Sequence, residues 1–277
     1  MTDSTFLHDG TVTANGIRQH FLHFGGADGY RAHRDTVIIV PGLASPAATW
    51  AFVGERFGRH FDTYVLDIRG RGQSESSPAL DYRLDTLAAD LDAFAAELQL
   101  QHWAVVGHSL GARIAIHAAA RQPPGLHKLA LIDPPLSGPG RRAYPQTLER
   151  ALESIRLAKS GAGVEGMRVF HPAWSDERLA AYVQGLATCD ESAVVAAFEG
   201  LNADDIHADL PELHVPVLLI SAELGEVVSE DEVFEMELAM PGLTEVRVAG
   251  AGHMIPWDNE EGFYEAFGGF LGATLDP

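Results

Sequence analysis

The stretch that most narrows what this chain can fold into is Val105-Val106-Gly107-His108-Ser109-Leu110-Gly111-Ala112-Arg113. An apolar run enters a G-x-S-x-G turn, and a helical pattern follows at once. A strand must hand over to a helix within a few residues, and the small residues flanking the serine let the two approach closely. Such a turn holds Ser109 in a strained conformation, with its Oγ projecting above the strand ends. The Leu110 N–H is then placed to meet negative charge growing on an attacked carbonyl. The spacing alone also occurs in ordinary tight turns. The strand before it and the helix after it make Ser109 a candidate nucleophile.

The rest of the chain repeats this alternation. "TVIIV" (36–40), "TYVLDI" (63–68), "WAVVG" (103–107), "KLALID" (128–133), "PVLLIS" (216–221) and "EVRVAG" (245–250) are mostly continuous apolar runs. Continuity rather than alternation predicts parallel strands covered on both faces. "DTLAADLDAFAAELQL" (85–100) has the three- and four-residue apolar spacing of a helix. "GTVTANGIRQHFLHFGG" (10–26) reads as a hairpin turning at Asn15-Gly16. Between about 137 and 210 only helical patterns occur, in "PQTLERALESIRLAKSG", "SDERLAAYVQGLATC" and "ESAVVAAFEGL". The expected architecture is a mostly parallel, doubly wound α/β sheet, with a helical cap (137–210) inserted after the sixth strand. Residues 1–136 and 211–277 then form the two parts of the core.

A length of 277 residues at 46% hydrophobic content suffices for one such core. Nineteen basic against 39 acidic residues give a net charge of −20. That charge argues against nucleic acid and anionic membranes as partners. An anionic substrate would need locally placed arginines to offset it. The lone Cys189 excludes an internal disulfide, and "MTDSTFLHDG" lacks the features of a signal peptide, so a soluble cytoplasmic protein is expected. His20, His23, His102, His117 and His127 show no metal-ligand spacing, and no phosphate-binding loop signature occurs. "RGRGQS" (69–74) reads as a strand–helix turn braced by Asp67 and Arg69.

The layout, with GHSLG, the RGRG turn and "AGAGH", resembles the α/β-hydrolase superfamily along the whole chain. In that fold the triad runs Ser, then acid, then His. His253, in "AGAGHMIPWDNEEGF" after the last strand, is the one histidine so placed. A second oxyanion donor is expected from the loop Pro41-Gly42-Leu43-Ala44, through the Leu43 N–H; the His-Gly that often opens this loop in the superfamily is Pro41-Gly42 here. The acid usually follows the strand after the cap, in L-L-x-x-G-x-x-D. Matching "LLISAELG" to that pattern puts Gly225 where the aspartate should stand. Glu223 and Glu226 flank the gap, and either needs a rearranged loop. Asp133, ending the preceding strand on the same sheet edge, is the natural replacement; the pattern alone leaves both open.

"VTANGIRQHFL", "FDTYVLDIRGRG", "VGHSLGAR", "DPPLSGPGRRAYP" and "AGHMIPWD" resemble, more narrowly, the N-formylmaleamate deformylase family of nicotinic acid breakdown. The resemblance implies a cofactor-independent hydrolysis to maleamate and formate, with Asp133 as the acid. The partner is then a small anionic amide whose carboxylate suits an arginine fork. Arg113, Arg141 and Arg142 are the candidates, with Met254, Ile255 and Trp257 on the apolar side of the pocket; Trp50, Phe170 and Trp174 favour core packing. The alternatives are a carboxylesterase, an enol-lactonase or a C–C bond hydrolase on the same fold. In another class stands a non-catalytic ligand-binding protein, which retention of both Ser109 and His253 disfavours.

Overall fold

A computed structural model describes residues 4–25 and 35–275. Gly26, which closes the hairpin stretch read above, and the first three residues lie outside them. The hairpin is β1 (Phe6–Ala14) and β2 (Ile17–Phe24), joined at Asn15 and Gly16. Both turn residues have positive φ (46° and 75°), the twist that a tight two-residue hairpin requires.

Six further strands follow: β3 (Thr36–Val40), β4 (Asp62–Leu66), β5 (Trp103–His108), β6 (Leu126–Ile132), β7 (Val217–Ala222) and β8 (Thr244–Val248). The eight form one sheet in the order β1-β2-β4-β3-β5-β6-β7-β8. β2 pairs antiparallel with β1 and β4, and every pairing from β4 to β8 is parallel. The continuous apolar runs follow from burial on both sides. Val37, Ile39, Val106, Ile132 and Ile220 face one cluster, while Ile38, Val40, Val105, Leu131 and Leu219 face the other.

Helices cover both faces. The core supplies α1 (Ala51–Phe57), α2 (Leu84–Glu97) and α3 (Leu110–Ala119). Between β6 and β7 come α4 (Leu148–Lys159), α5 (Gly163–Met167), α6 (Asp176–Leu186) and α7 (Glu191–Ala203), then the chain returns to the sheet and closes with α8 (Glu230–Ala239), α9 (Ile255–Asp258) and α10 (Glu260–Phe267). Local chemistry starts these helices. Thr147, Ser175 and Asp190 accept the first free N–H groups of α4, α6 and α7, and Ser229 with Glu232 forms a capping box on α8. The insertion after β6 is all-helical as the sequence predicts, although the five-residue α5 is too short to show a periodicity. No helix among the described residues is long and apolar enough to cross a membrane.

Candidate active site

The C-terminal ends of β5, β6 and β8 lead into Ser109, Asp133 and the His253 loop. Ser109 follows β5 directly at φ 53° and ψ −118°. The glycines around it are obligatory. A Cβ on Gly107 would lie 2.5 Å from the Gly111 carbonyl oxygen, and one on Gly111 would lie 2.0 Å from that of Val40. The strained serine is therefore held by close packing of strand and helix backbones. Asp133 follows β6, also at a positive φ (44°), with its N–H donating to the Ile220 carbonyl at 2.8 Å.

His253 joins the two. Its Nε2 lies 3.0 Å from Ser109 Oγ, and its Nδ1 lies 2.6 Å from Asp133 Oδ2. The Asp133 side chain is fully buried, and Oδ1 also accepts the Ala222 N–H at 3.4 Å. A carboxylate bonded this way keeps Nδ1 protonated and leaves Nε2 free to take the serine proton. Glu223 and Glu226 are exposed; Glu223 accepts the Gly250 N–H at 2.7 Å instead of facing the imidazole. Gly225 sits beside Asp133, where an added Cβ would stand 3.5 Å from Oδ2 and 2.8 Å from the Ala222 Cβ.

Behind the imidazole lies His108, whose ring Nε2 donates to the His253 carbonyl at 2.9 Å. Burial pushes its pKa down to about 3, with nearby His253 adding to the shift, so the ring is neutral and acts as a fixed donor. Gly42 lies flat against it: a Cβ there would come within 3.0 Å of His108 Nδ1 and 3.3 Å of Ser109 Cβ. Arg71 fixes the following loop, its Nε donating to the Leu43 carbonyl at 2.9 Å and a terminal nitrogen to the Arg69 carbonyl at 2.8 Å. Burial lowers the Arg71 pKa to about 10, still cationic at neutral pH. Asp67 braces the same region, accepting from Ala47 N at 2.6 Å and Gln73 N at 2.9 Å, while Arg69 is engaged with Asp90.

Above Ser109 opens a cavity of about 240 Å³. Gly42, Leu43, Ser109, His253 and Met254 form its floor, and Tyr144, Gln146, Arg150, Ser154, Phe170, His171 and Tyr182 come from the insertion after β6. Burial raises the pKa of both tyrosines, so they remain neutral hydroxyls, and the Tyr144 hydroxyl faces Ser109. His171 stacks on Trp174, its ring centre 3.9 Å away. Burial, with a smaller contribution from Arg150, pushes its pKa down to about 4.

Several residues singled out from the sequence lie elsewhere. Arg113 is buried and donates to the carbonyls of Pro135, Ser137 and Asp204 at 2.7–2.9 Å, so it ties the β6 exit to the end of α7 and lines a separate cavity. Arg141 pairs with Glu235 at 2.7 Å, and Arg142 reaches Glu232 at 2.6 Å and the Glu226 and Val227 carbonyls. Their charges are spent anchoring the loop to α8, which corrects the expectation that they face a substrate. Trp257 is buried and packs between Trp50 and Trp174, outside the cavity, while Phe170, expected in the core, lines it. Met254 lines the cavity. Tyr144, Arg150 and His171 escape sequence reading because no motif marks them. Arg150 did carry one signal: it occupies the third position of α4, three residues after the Thr147 cap, where a capping box carries Glu or Gln.

The chain belongs to the α/β hydrolase fold family, whose pattern it matches over residues 35–260. Within that fold it is 52% identical over 272 residues to the N-formylmaleamate deformylase of Pseudomonas putida, covering 98% of this chain and 99% of that protein. The crystal structure of an N-formylmaleamic acid deformylase from Pseudomonas putida superposes with a TM-score of 0.87 at 46% identity, covering 94% of this chain and 99% of that one. An enol-lactonase from Burkholderia xenovorans superposes at 0.75 with 21% identity over 95% of this chain and all of that one, a likeness of fold alone.

Proposed function

We propose that this chain is a serine hydrolase that splits the formyl C–N bond of N-formylmaleamate, with Ser109 as nucleophile, His253 as general base and acid, and Asp133 orienting the imidazole. The observation that carries the chemistry is the unbroken relay from Ser109 Oγ through His253 to Asp133, at 3.0 and 2.6 Å, beneath a cavity of about 240 Å³. The choice of substrate rests on similarity to the deformylase along nearly its whole length.

In the first half-reaction His253 Nε2 takes the hydroxyl proton as Oγ bonds to the formyl carbon. The carbonyl electron pair moves to oxygen, held by the main-chain N–H groups of Leu43 and Leu110. The C–N bond then breaks, and His253 returns the proton to nitrogen, releasing maleamate and leaving formyl-Ser109. That nitrogen carries a second acyl group, which makes it a better leaving group than a simple amide. Water, deprotonated by His253, then attacks the ester and frees formate and the serine. The groups used are side chains, main-chain N–H and water. Residues 137–210 act as the cap over a core formed by 1–136 and 211–277, and the reaction is placed in the cytoplasm.

Formate release from N-formylmaleamate, compared with p-nitrophenyl acetate turnover, tests the reading. A strong preference for the formyl amide supports it, and no formate above background overturns it. A fluorophosphonate probe is expected to label wild-type protein and to miss Ser109→Ala.

A further inference from the structure

Among the described residues, Arg150 is the one permanently charged side chain lining the cavity above Ser109; no described Asp, Glu or Lys lines it, and burial keeps His108 and His171 neutral. Among the described residues no carboxylate lies within ion-pair distance of its guanidinium. Most other arginines here are held by an acid, as Arg156 is by Glu191 one turn and a half further along α4. Instead, the Arg150 guanidinium rests over the Phe170 ring, 5.0 Å from its centre, which orients it while no hydrogen bond to a described residue holds its donors.

Its place on the helix points the same way. Arg150 lies in the first turn of α4, where the helix dipole disfavours a cation. A cation kept there without an acidic partner is unfavourable for the empty protein. It becomes favourable once an anion enters the cavity. Arg150, Ala151 and Ser154 share the face of α4 that lines the cavity; Arg150 also remains exposed to solvent, and Arg156, exposed as well, does not line the cavity.

We propose that Arg150 is the residue that recognises the substrate carboxylate, docking it on the cap side while the formyl group meets Ser109. The planar fork suits two carboxylate oxygens, and such a charge-assisted, two-pronged pair is stronger than a neutral hydrogen bond. The site therefore selects short acyl compounds carrying a carboxylate at the end remote from the scissile bond. In a protein of net charge −20, this single cation offsets a repulsive field at the one point where an anion must enter. The proposal rests on the deformylase reading for its natural substrate, but charge selection can be read without it.

The test measures kcat/KM for p-nitrophenyl hydrogen succinate and for p-nitrophenyl butyrate, an uncharged ester of similar length, in wild type, Arg150→Met, Arg150→Lys and Arg156→Met. Wild type should favour the hemi-ester. Arg150→Met should lower the ratio of the two values by about 100-fold, as expected for losing a charge-assisted pair. Arg150→Lys should recover part of the ratio, and Arg156→Met should leave it unchanged. A ratio near one in wild type, or a ratio untouched in Arg150→Met, overturns the proposal. Formate release from N-formylmaleamate is read in parallel. Its absence alongside a collapsed ratio would sink the deformylase reading and leave Arg150 standing; its presence alongside an unchanged ratio would do the reverse.

Discussion

Gly42 shows how tightly single residues are constrained around Ser109. Its missing side chain leaves just enough room for His108 and Ser109, so an added methyl group must shift either those side chains or the loop that carries the Leu43 N–H. Gly42→Ala is therefore expected to lower kcat by roughly 10², the cost of one misplaced oxyanion donor, while KM and the melting temperature change little. A variant with unchanged kcat would remove Leu43 from the oxyanion hole. Ser109 and His253 were legible in the sequence because backbone geometry announces them: a strained turn demands its glycines, and a loop histidine follows the last strand. Arg150 and Tyr144 were not. A cavity residue on a helix follows the same periodicity as a core residue, and only the three-dimensional path of the insertion decides which it becomes. Arg113, Arg141 and Arg142 stand next to the motifs in sequence, yet each is bonded to carbonyls or acids that lie far away in sequence.

At the scale of elements, the proposed acid ends a different strand from the one the superfamily pattern uses. Gly225 stands after β7 where the superfamily pattern has its aspartate, and the Asp133 carboxylate from β6 fills the adjacent space. Neighbouring parallel strands end close enough for either to reach one imidazole. The double variant Asp133→Asn/Gly225→Asp is accordingly expected to recover at least tenfold of the turnover lost in Asp133→Asn alone, read as formate release. No recovery would mean that the β7 exit cannot deliver a carboxylate to His253. Strands and long helices were legible here because burial on both sheet faces writes continuous apolar runs. The hairpin was legible through Asn15-Gly16. α5 was not, since five residues hold little more than one turn. The cap's relation to the core depends on contacts such as Arg113 to the Asp204 carbonyl, which carry no local sequence signature.

The whole molecule should be sensitive to acid, and the sign follows from buried imidazoles. The pKa of His108 in the folded protein is near 3, against an ordinary 6.5 when unfolded. The unfolded chain therefore binds more protons between those values, and stability falls as pH drops through that window. His108 alone should account for about 2 kcal/mol lost between pH 7 and pH 5. His171, lowered to about 4, acts in the same direction; Asp92, raised to about 6 by burial, acts in the opposite one and tempers the loss. Urea unfolding at both pH values should show a smaller loss in His108→Gln, whose amide can still donate to the His253 carbonyl. An equal loss would assign the sensitivity to other groups. Function at this scale is one turnover through three strand ends, and it is tested most directly by formate release from N-formylmaleamate in wild type, Asp133→Asn and Glu226→Gln. Wild type and Glu226→Gln should release formate and maleamate in equal amounts at similar rates, with Asp133→Asn slower by roughly four orders of magnitude. Full activity in Asp133→Asn, with collapse in Glu226→Gln, would contradict the relay built on Asp133.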